Sequence, residues 1–395
     1  LVIRHQIETA ETPTLRTHTP IQLATDLAAS FAARADEADH NGKLPDEDVR
    51  LLRESGYLSL NIPTAFGGPG MNMRDCLAAH LELSQGSAST AIVAGMHLQV
   101  LGNALENDIW PADVYERFAR ATVEEGALFN YAASEPKLGS PSHGGVFATN
   151  LIPHPDTDGW LLNGQKTWTT GGRHLTHILV RAQVGDDVGE VLVLQGATGL
   201  RWEETWQDAF SLRASDSHDV FFEDVHLSTE NLIVRGGKKV PNAWFPMVLA
   251  SVYLGTAIAA RNAVIKFALE RVPTGLGKPI ATLPKIQREI GELDLALQAA
   301  KALLFEVAAL WSENVDHRSD LMPRIASAKL FATETATTVT DQALRIAGGQ
   351  ALTSALPLER FLRDTRAGLM QPPSGDTAYE MIGRSAIGTI PDSMS

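Results

Sequence analysis

A single cysteine, Cys76, is all the thiol in this chain. A disulfide framework within it is excluded, so the fold must rest on its apolar core. That cysteine usage fits a reducing compartment, and a cytoplasmic location is expected. Basic charge is also scarce: 33 Lys and Arg stand against 47 Asp and Glu, for a net charge of −14. A general nucleic-acid or anionic-membrane binder needs a basic face, so neither role is expected. No apolar run stands out as the ~18–20 residues of a membrane helix. The opening stretch, LVIRHQIETAETPTLRTHTP, lacks the apolar centre of a signal peptide and reads as a loose tail.

Familiar catalytic signatures are missing as well. There is no G-x-x-x-x-G-K-[ST] loop, no G-x-G-x-x-G after a strand, no G-x-S-x-G elbow, and no Cys cluster or H-E-x-x-H. His174 and His177 are three apart on a turn entering a strand. That spacing puts them on opposite faces and argues against a shared metal.

What is present is an ordinary globular composition, 44% apolar and 20% charged, in a chain long enough for two or three domains. Residues 21–39 place Leu23, Leu27 and Phe31 at helical spacing. Pro45 opens a short helix with Asp46, Glu47 and Asp48 in its first turn, where the dipole favours carboxylates. Helices are predicted near 73–84, 87–104 and 111–124, giving a helical domain over 1–127. From 128 to 236 the texture is β, with runs at 146–149, 160–162, 178–182 and 191–194. Asp158-Gly159 and Asn163-Gly164 read as the turns between them, and 219–227 as a last strand or corner. No helices intervene, so this is not a βαβ nucleotide fold. Over 237–395 helical periodicity returns at 244–271, 285–313, 319–346 and 374–388, with Pro357 starting another helix after Gly348-Gly349. Wide apolar faces suggest a bundle that also buries surface against other subunits.

The stretch 131–172 concentrates polar turns and Trp168 in an apolar context. Hydroxyls and backbone donors there suit a polar ring edge or a phosphate, and an indole suits the face of a flat ring. Ordinary hairpin turns account for the same residues, and the stretch alone leaves both readings open.

Four motifs in order resemble the acyl-CoA dehydrogenase superfamily of flavoproteins over roughly 20–390. Tyr131, Ser134, Glu135, Pro136, Gly139 and Ser140 are similar to its Y-x-x-[TS]-E-P-x-x-G-S. Leu162, Asn163, Gly164, Lys166, Trp168, Thr170 and Gly172 are similar to L-N-G-x-K-x-W-I-T-N-G. Leu212 to Ser217, with Val220, Phe222, Asp224 and Val225, form the third. Gly348, Gly349, Pro357, Leu358, Glu359, Arg360, Arg363 and Asp364 form the fourth. The resemblance implies an α+β fold: an N-terminal helical domain, a central β-barrel or sandwich, and a C-terminal four-helix bundle. It implies FAD, with FMN less favoured, and a homodimer or homotetramer. In the motif that Tyr131 opens, Ser134 would bond the flavin pyrimidine edge. Trp168 and Thr170 would flank the isoalloxazine, with Thr170 near N5. Ser140 would lie near the cofactor phosphate or a pantetheine arm. Arg271 and Gln287 would reach the FAD diphosphate and adenosine of a neighbouring subunit, and Gly348-Gly349 would let backbone approach that diphosphate.

Dehydrogenation of an acyl-CoA needs a carboxylate base opposite flavin N5. The family's Glu follows the R-D motif, and here Ser374 stands in its place, within the run from Gln371 to Thr377. A Ser hydroxyl has no useful basicity unless activated. Some members carry the Glu on the first helix of the C-terminal domain, where this chain has Phe245, followed by Pro246. Asp376 is the nearest carboxylate, two residues late. A related branch uses the same fold for flavin-dependent monooxygenation without the Glu, often with a His near position 371, here Gln371. His97 is a further candidate from the N-terminal domain. The leading expectation is FAD-dependent oxidation of an acyl-CoA or similar thioester at Cα–Cβ, with an electron-transfer flavoprotein as acceptor. The alternatives are a monooxygenase or N-oxidising enzyme fed by a flavin reductase, and a non-catalytic flavin- or thioester-binding protein.

Overall fold

The computed structural model describes residues 12–138, 146–233 and 241–388. Five helices come first: α1 (Pro20–Asn41), α2 (Asp46–Glu54), α3 (Met73–Leu83), α4 (Ala88–Glu106) and α5 (Ala112–Glu125). Three of them, α1, α3 and α4, start on a side-chain cap. Thr19 accepts from Gln22 N–H, Asn72 from Asp75 N–H and Ser87 from Thr90 N–H. Asp48 does more than face the α2 dipole. It is buried and accepts from Arg34 and Thr90, which ties α2 to α1 and α4.

Eight strands form one sheet: β1 (Phe129–Ala132), β2 (Asn150–Pro153), β3 (Gly159–Thr169), β4 (His177–Val184), β5 (Asp187–Leu194), β6 (Leu200–Glu203), β7 (His218–Ser228) and β8 (Leu232–Ile233). Their order is β6-β7-β3-β2-β4-β5-β8, with β1 parallel to β4. Two expectations fail here. Residues 146–149 precede β2 rather than forming a strand. Asn163-Gly164 is not a turn but lies inside β3. The pairing Leu162↔Val225 becomes Gly164↔Phe222, so β7 carries one extra residue. That residue is accommodated at Asp224, where φ is +48°. Asn163 closes the bulge by donating from Nδ2 to Asp224 Oδ1 and accepting Asp224 N–H, both at 2.9 Å. An Asx side chain can serve a bulge as well as a turn, and the dipeptide does not tell them apart.

The last block holds α6 (Trp244–Glu270), α7 (Pro284–Glu313), α8 (Met322–Ala347), α9 (Leu358–Met370) and α10 (Gly375–Ile387). The helix expected from 319 begins at Met322, because 315–321 is a 3₁₀ segment. α6 also corrects the membrane reading. It is long and apolar enough to cross a bilayer, yet 78% of its most apolar window is buried inside the protein. It is a core helix. α4 meets it at two glycines: a Cβ on Gly95 would lie 2.5 Å from Val248, and one on Gly102 2.4 Å from the Trp244 ring.

α9 joins the three blocks. Arg363 bonds both carboxylate oxygens of Asp39 on α1, at 3.1 and 2.5 Å, and donates to Phe210 O. Asp364 is buried and accepts Leu212 N–H at 2.8 Å, while its own carbonyl accepts the Ser211 hydroxyl. The R-D motif is therefore an interdomain fastening in this chain.

Candidate active site

The site is built on the end of β3. Alternation along this strand buries Leu162 and Lys166, and would bury residue 168 on the same face. It does not, because Lys166↔Val220 is followed by Thr169↔His218, and β3 here carries the extra residue. Trp168 absorbs the shift with φ +57°, a region costing about 1–2 kcal/mol for a residue with a Cβ. The result is an indole 54% exposed at the strand end, with Thr169 buried in its stead. An exposed large aromatic held in a strained backbone points to a binding role.

Hydroxyls gather beside it. Thr170 Oγ1 and Ser217 Oγ are 2.8 Å apart, and Ser217 Oγ is 2.8 Å from Ser215 Oγ. Asn130 on β1 donates to Thr170 O at 2.9 Å, while Ser134 O accepts Thr167 N–H at 3.0 Å. The Ser134 turn is thus hydrogen-bonded to β3 one residue before Trp168. A flat ring with a polar edge fits this set: one aromatic face, and hydroxyls at its rim. When bound, a flavin would supply a hydride acceptor at N5, or a reduced ring that reacts with O₂. Trp168, Thr170 and Ser134 would hold it. Ser140 lies outside the described residues.

Two motif residues to which sequence reasoning gave no role hold this arrangement. Lys166 Nζ lies 2.7 Å from Glu135 Oε1, with both side chains almost wholly buried. Glu135 also accepts Ala148 and Thr149 N–H. Burial would raise its pKa, but these hydrogen bonds outweigh burial and hold it below the usual range. Burial lowers Lys166 to about 8 against the pull of Glu135, so both are charged at neutral pH. The available signal was a Lys at a core-facing position of a strand, which demands a buried partner.

The other candidates scatter. Tyr131 does not belong to the hydroxyl set; its OH points to Glu190, 3.3 Å away. His97 is fully buried. Its Nε2 donates to Leu58 O at 2.9 Å and its Nδ1 accepts Phe129 N–H at 3.1 Å. Burial lowers its pKa to about 3. With both nitrogens engaged, it pins α4 to β1, and its candidacy as a catalytic group has no geometric support. Arg271 and Gln287 lie exposed around the α6–α7 connection, with Gln287 donating to Ala281 O at 3.0 Å. Gly348 and Gly349 are exposed after α8, with nothing within 4 Å of an added Cβ. His174 and His177 part as expected: His174 lies 3.6 Å from Asp216, and His177 stacks on Phe129.

At the end of α9, Gln371 Oε1 accepts from the Tyr253 hydroxyl at 2.6 Å. Lys329 Nζ donates to Gly368 O at 2.7 Å, Gln371 O at 2.6 Å and Pro373 O at 3.0 Å. Ser374 occupies the residue before α10 and lies 3.5 Å from the Thr377 hydroxyl; Asp376 is exposed in the first turn of that helix. A carboxylate there is favoured by the helix dipole without any catalytic role. The two positions where the resemblance calls for a Glu thus hold a hydroxyl, Ser374, and a phenyl ring, Phe245, and the position of the related branch's His holds an amide, Gln371.

Three acyl-CoA dehydrogenase family models match the chain: the N-terminal domain at residues 22–108, the middle domain at 130–225 and the C-terminal domain at 247–370. The putative acyl-CoA dehydrogenase YdbM of Bacillus subtilis is 37% identical over 368 residues, covering 91% of this chain and 94% of that protein. The nitrososynthase of Micromonospora carbonacea var. africana has a TM-score of 0.79 at 26% identity, covering 94% of this chain and 96% of the other. Butyryl-CoA dehydrogenase of Megasphaera elsdenii has a TM-score of 0.82 at 22% identity, covering 93% and 97%. The chain belongs to the acyl-CoA dehydrogenase family of flavin-dependent oxidoreductases. Its architecture is the family's own: helical N-terminal part, central β part and C-terminal helical bundle.

Proposed function

We propose that this protein performs a flavin-dependent oxygenation, using O₂ and reduced flavin from a partner reductase, rather than α,β-dehydrogenation of an acyl-CoA. The end of α9 carries this reading. Gln371 presents a carboxamide tied to buried Tyr253, and Ser374 stands where the resemblance calls for a Glu. Neither accepts a proton from carbon. The likeness to a nitrososynthase over nearly the whole chain supports the same direction. Dehydrogenation is the second reading, favoured by the 37% identity to a putative acyl-CoA dehydrogenase, and Asp376 would have to serve as its base.

FAD is the proposed flavin. Exposed Arg271 and Gln287 offer a cation and an amide suited to a diphosphate and an adenosine, and a second copy of the chain would complete that site. A homodimer or homotetramer is proposed on the same basis, and a cytoplasmic location on the single cysteine.

Two stopped-flow measurements test the reading. Reduced flavoprotein mixed with O₂ should pass through a transient absorbance before the oxidised flavin spectrum returns. Anaerobic acyl-CoAs of several chain lengths should leave oxidised flavin unbleached. Bleaching that is lost in Asp376→Asn would establish dehydrogenation instead. Neither response would leave a binding protein.

A further inference from the structure

We propose that Asp216 is a positioning residue for flavin binding. By holding the Leu44 N–H, its carboxylate fixes the loop that sets the Ser215, Ser217 and Thr170 hydroxyls in line beside Trp168. The proposal rests on a flavin lying against Trp168 and Thr170, and holds for oxygenation and dehydrogenation alike.

The loop needs support from outside. Leu212 and Asp216 bracket a single 3₁₀ turn, Arg213–Ser215, and both have left-handed backbone, with φ +54° and +46°. That conformation is disfavoured for a residue with a Cβ and persists only where the surroundings hold it. Each helical domain supplies one hold. Leu212 N–H donates to Asp364 on α9 at 2.8 Å. The Asp216 carboxylate accepts Leu44 N–H, on the connection between α1 and α2, at 2.9 Å. Both carboxylates are buried. The same connection is seated by close approach, since a Cβ on Gly42 would lie 2.6 Å from Gln207 O. Residue type adds to the hold at 216, because Asp and Asn enter the left-handed region more readily than other residues with a Cβ.

The loop carries the hydroxyls of the site. Ser215 and Ser217 flank Asp216 with their oxygens 2.8 Å apart, and Ser217 Oγ is 2.8 Å from Thr170 Oγ1. Backbone contacts join the loop to the end of β3. Ser215 O accepts Gly171 N–H at 3.0 Å, and a Cβ on Gly172 would lie 2.9 Å from Asp216 O. Ser215 is wholly buried, and among the described residues its hydroxyl meets Ser217 alone. A buried hydroxyl proton needs an acceptor. Ser215 therefore donates to Ser217, Ser217 donates to Thr170, and the Thr170 proton is left to face a ligand beside Trp168. This order holds only while Ser215 and Ser217 keep their places on either side of residue 216. A change of φ and ψ there turns one hydroxyl away from the other and breaks the line. Asp216 thus acts on the flavin through Ser217 and Thr170.

The test is the dissociation constant of the full chain for FAD, measured in a double-mutant cycle with Thr170. Asp216→Ala removes both the acceptor and the left-handed preference, and should weaken FAD binding about tenfold. Asp216→Asn keeps both and should stay within about twofold of the parent. Thr170→Val should weaken binding about fivefold. In the Thr170→Val background, Asp216→Ala should add less than about threefold, because the hydroxyl it positions is gone. Asp216→Gly tolerates the left-handed backbone without supplying the acceptor, and takes the place of Asp216→Ala in the cycle if that variant does not fold. A merely structural Asp216 would lower affinity by the same factor in both backgrounds, and that result would overturn the proposal. A loss in Asp216→Asn equal to that in Asp216→Ala would overturn it as well. Unchanged affinity in Thr170→Val would overturn the proposal together with the placement of the flavin against Thr170.

Discussion

Lys166 and Glu135 form an ion pair 2.7 Å long inside the β domain, one partner on β3 and the other on the turn that carries Ser134. The pair ties the Ser134 turn to β3 two residues before Trp168. Breaking a buried pair by removing one partner costs about 3–5 kcal/mol, because the remaining charge is left without compensation. Lys166→Met should lose that much in urea unfolding and weaken flavin binding. Glu135→Gln added to it should recover part of the loss. A double variant no more stable than the single would refute this account.

Two of the arginines of α9, Arg363 and Arg360, should behave very differently. Arg363 reaches Asp39 with both partners almost buried, whereas Arg360 pairs with Asp36, whose side chain is 67% exposed. Arg363→Gln should cost about 3–5 kcal/mol, and Asp36→Asn under about 1 kcal/mol. Thermal melts of the two variants give the comparison, and equal losses would contradict it.

Gly164 and Gly185 separate crowding from backbone conformation. An added Cβ at Gly164 would lie 2.6 Å from Thr149 Cα, and φ there is +143°. At Gly185 φ is +59° with nothing within 4 Å. Gly185→Ala should cost only the left-handed penalty, about 1–2 kcal/mol. Gly164→Ala adds overpacking of about 1–3 kcal/mol and should also disturb the Asn163–Asp224 bulge. Urea midpoints that rank the two in the opposite order would count against this assignment.

Asp216 links the first two blocks by accepting Leu44 N–H at 2.9 Å, with His218 at 3.7 Å and His174 at 3.6 Å. Burial raises its pKa to about 6. The folded protein therefore holds this proton more tightly than the unfolded chain does. The cost of the buried charge is absent below about pH 4 and complete above about pH 6. Asp216→Asn keeps an acceptor for Leu44 without the charge. Relative to the parent, the variant should gain up to ~3 kcal/mol as pH rises through that window, then show no further change. Burial depresses both histidines, which remain in the variant and titrate nearer their ordinary range only in the unfolded chain. A stability difference that is flat from pH 4 to 6 would exclude this role.

The sequence alone determined the layout and the family. Apolar periodicity set the helices, as in α1 with Leu23, Leu27 and Phe31, and Pro45 with the acidic first turn after it marked the start of α2. Those signals are local, acting within one or two turns, and so they are written in consecutive residues. The four motifs placed Ser134, Trp168 and Thr170 in one segment for the same reason. Tertiary structure decided whatever depended on what lay opposite. Asn163-Gly164 became a bulge because β7 supplied an extra residue, and Trp168 turned outward because β3 supplied one in return. His97 became a strut once Leu58 O and Phe129 N–H met its two nitrogens. Gln371 acquired a fixed direction from Tyr253 and Lys329, 118 and 42 residues away in the chain. A buried polar group takes its role from the partner that satisfies it, and only the folded chain chooses that partner.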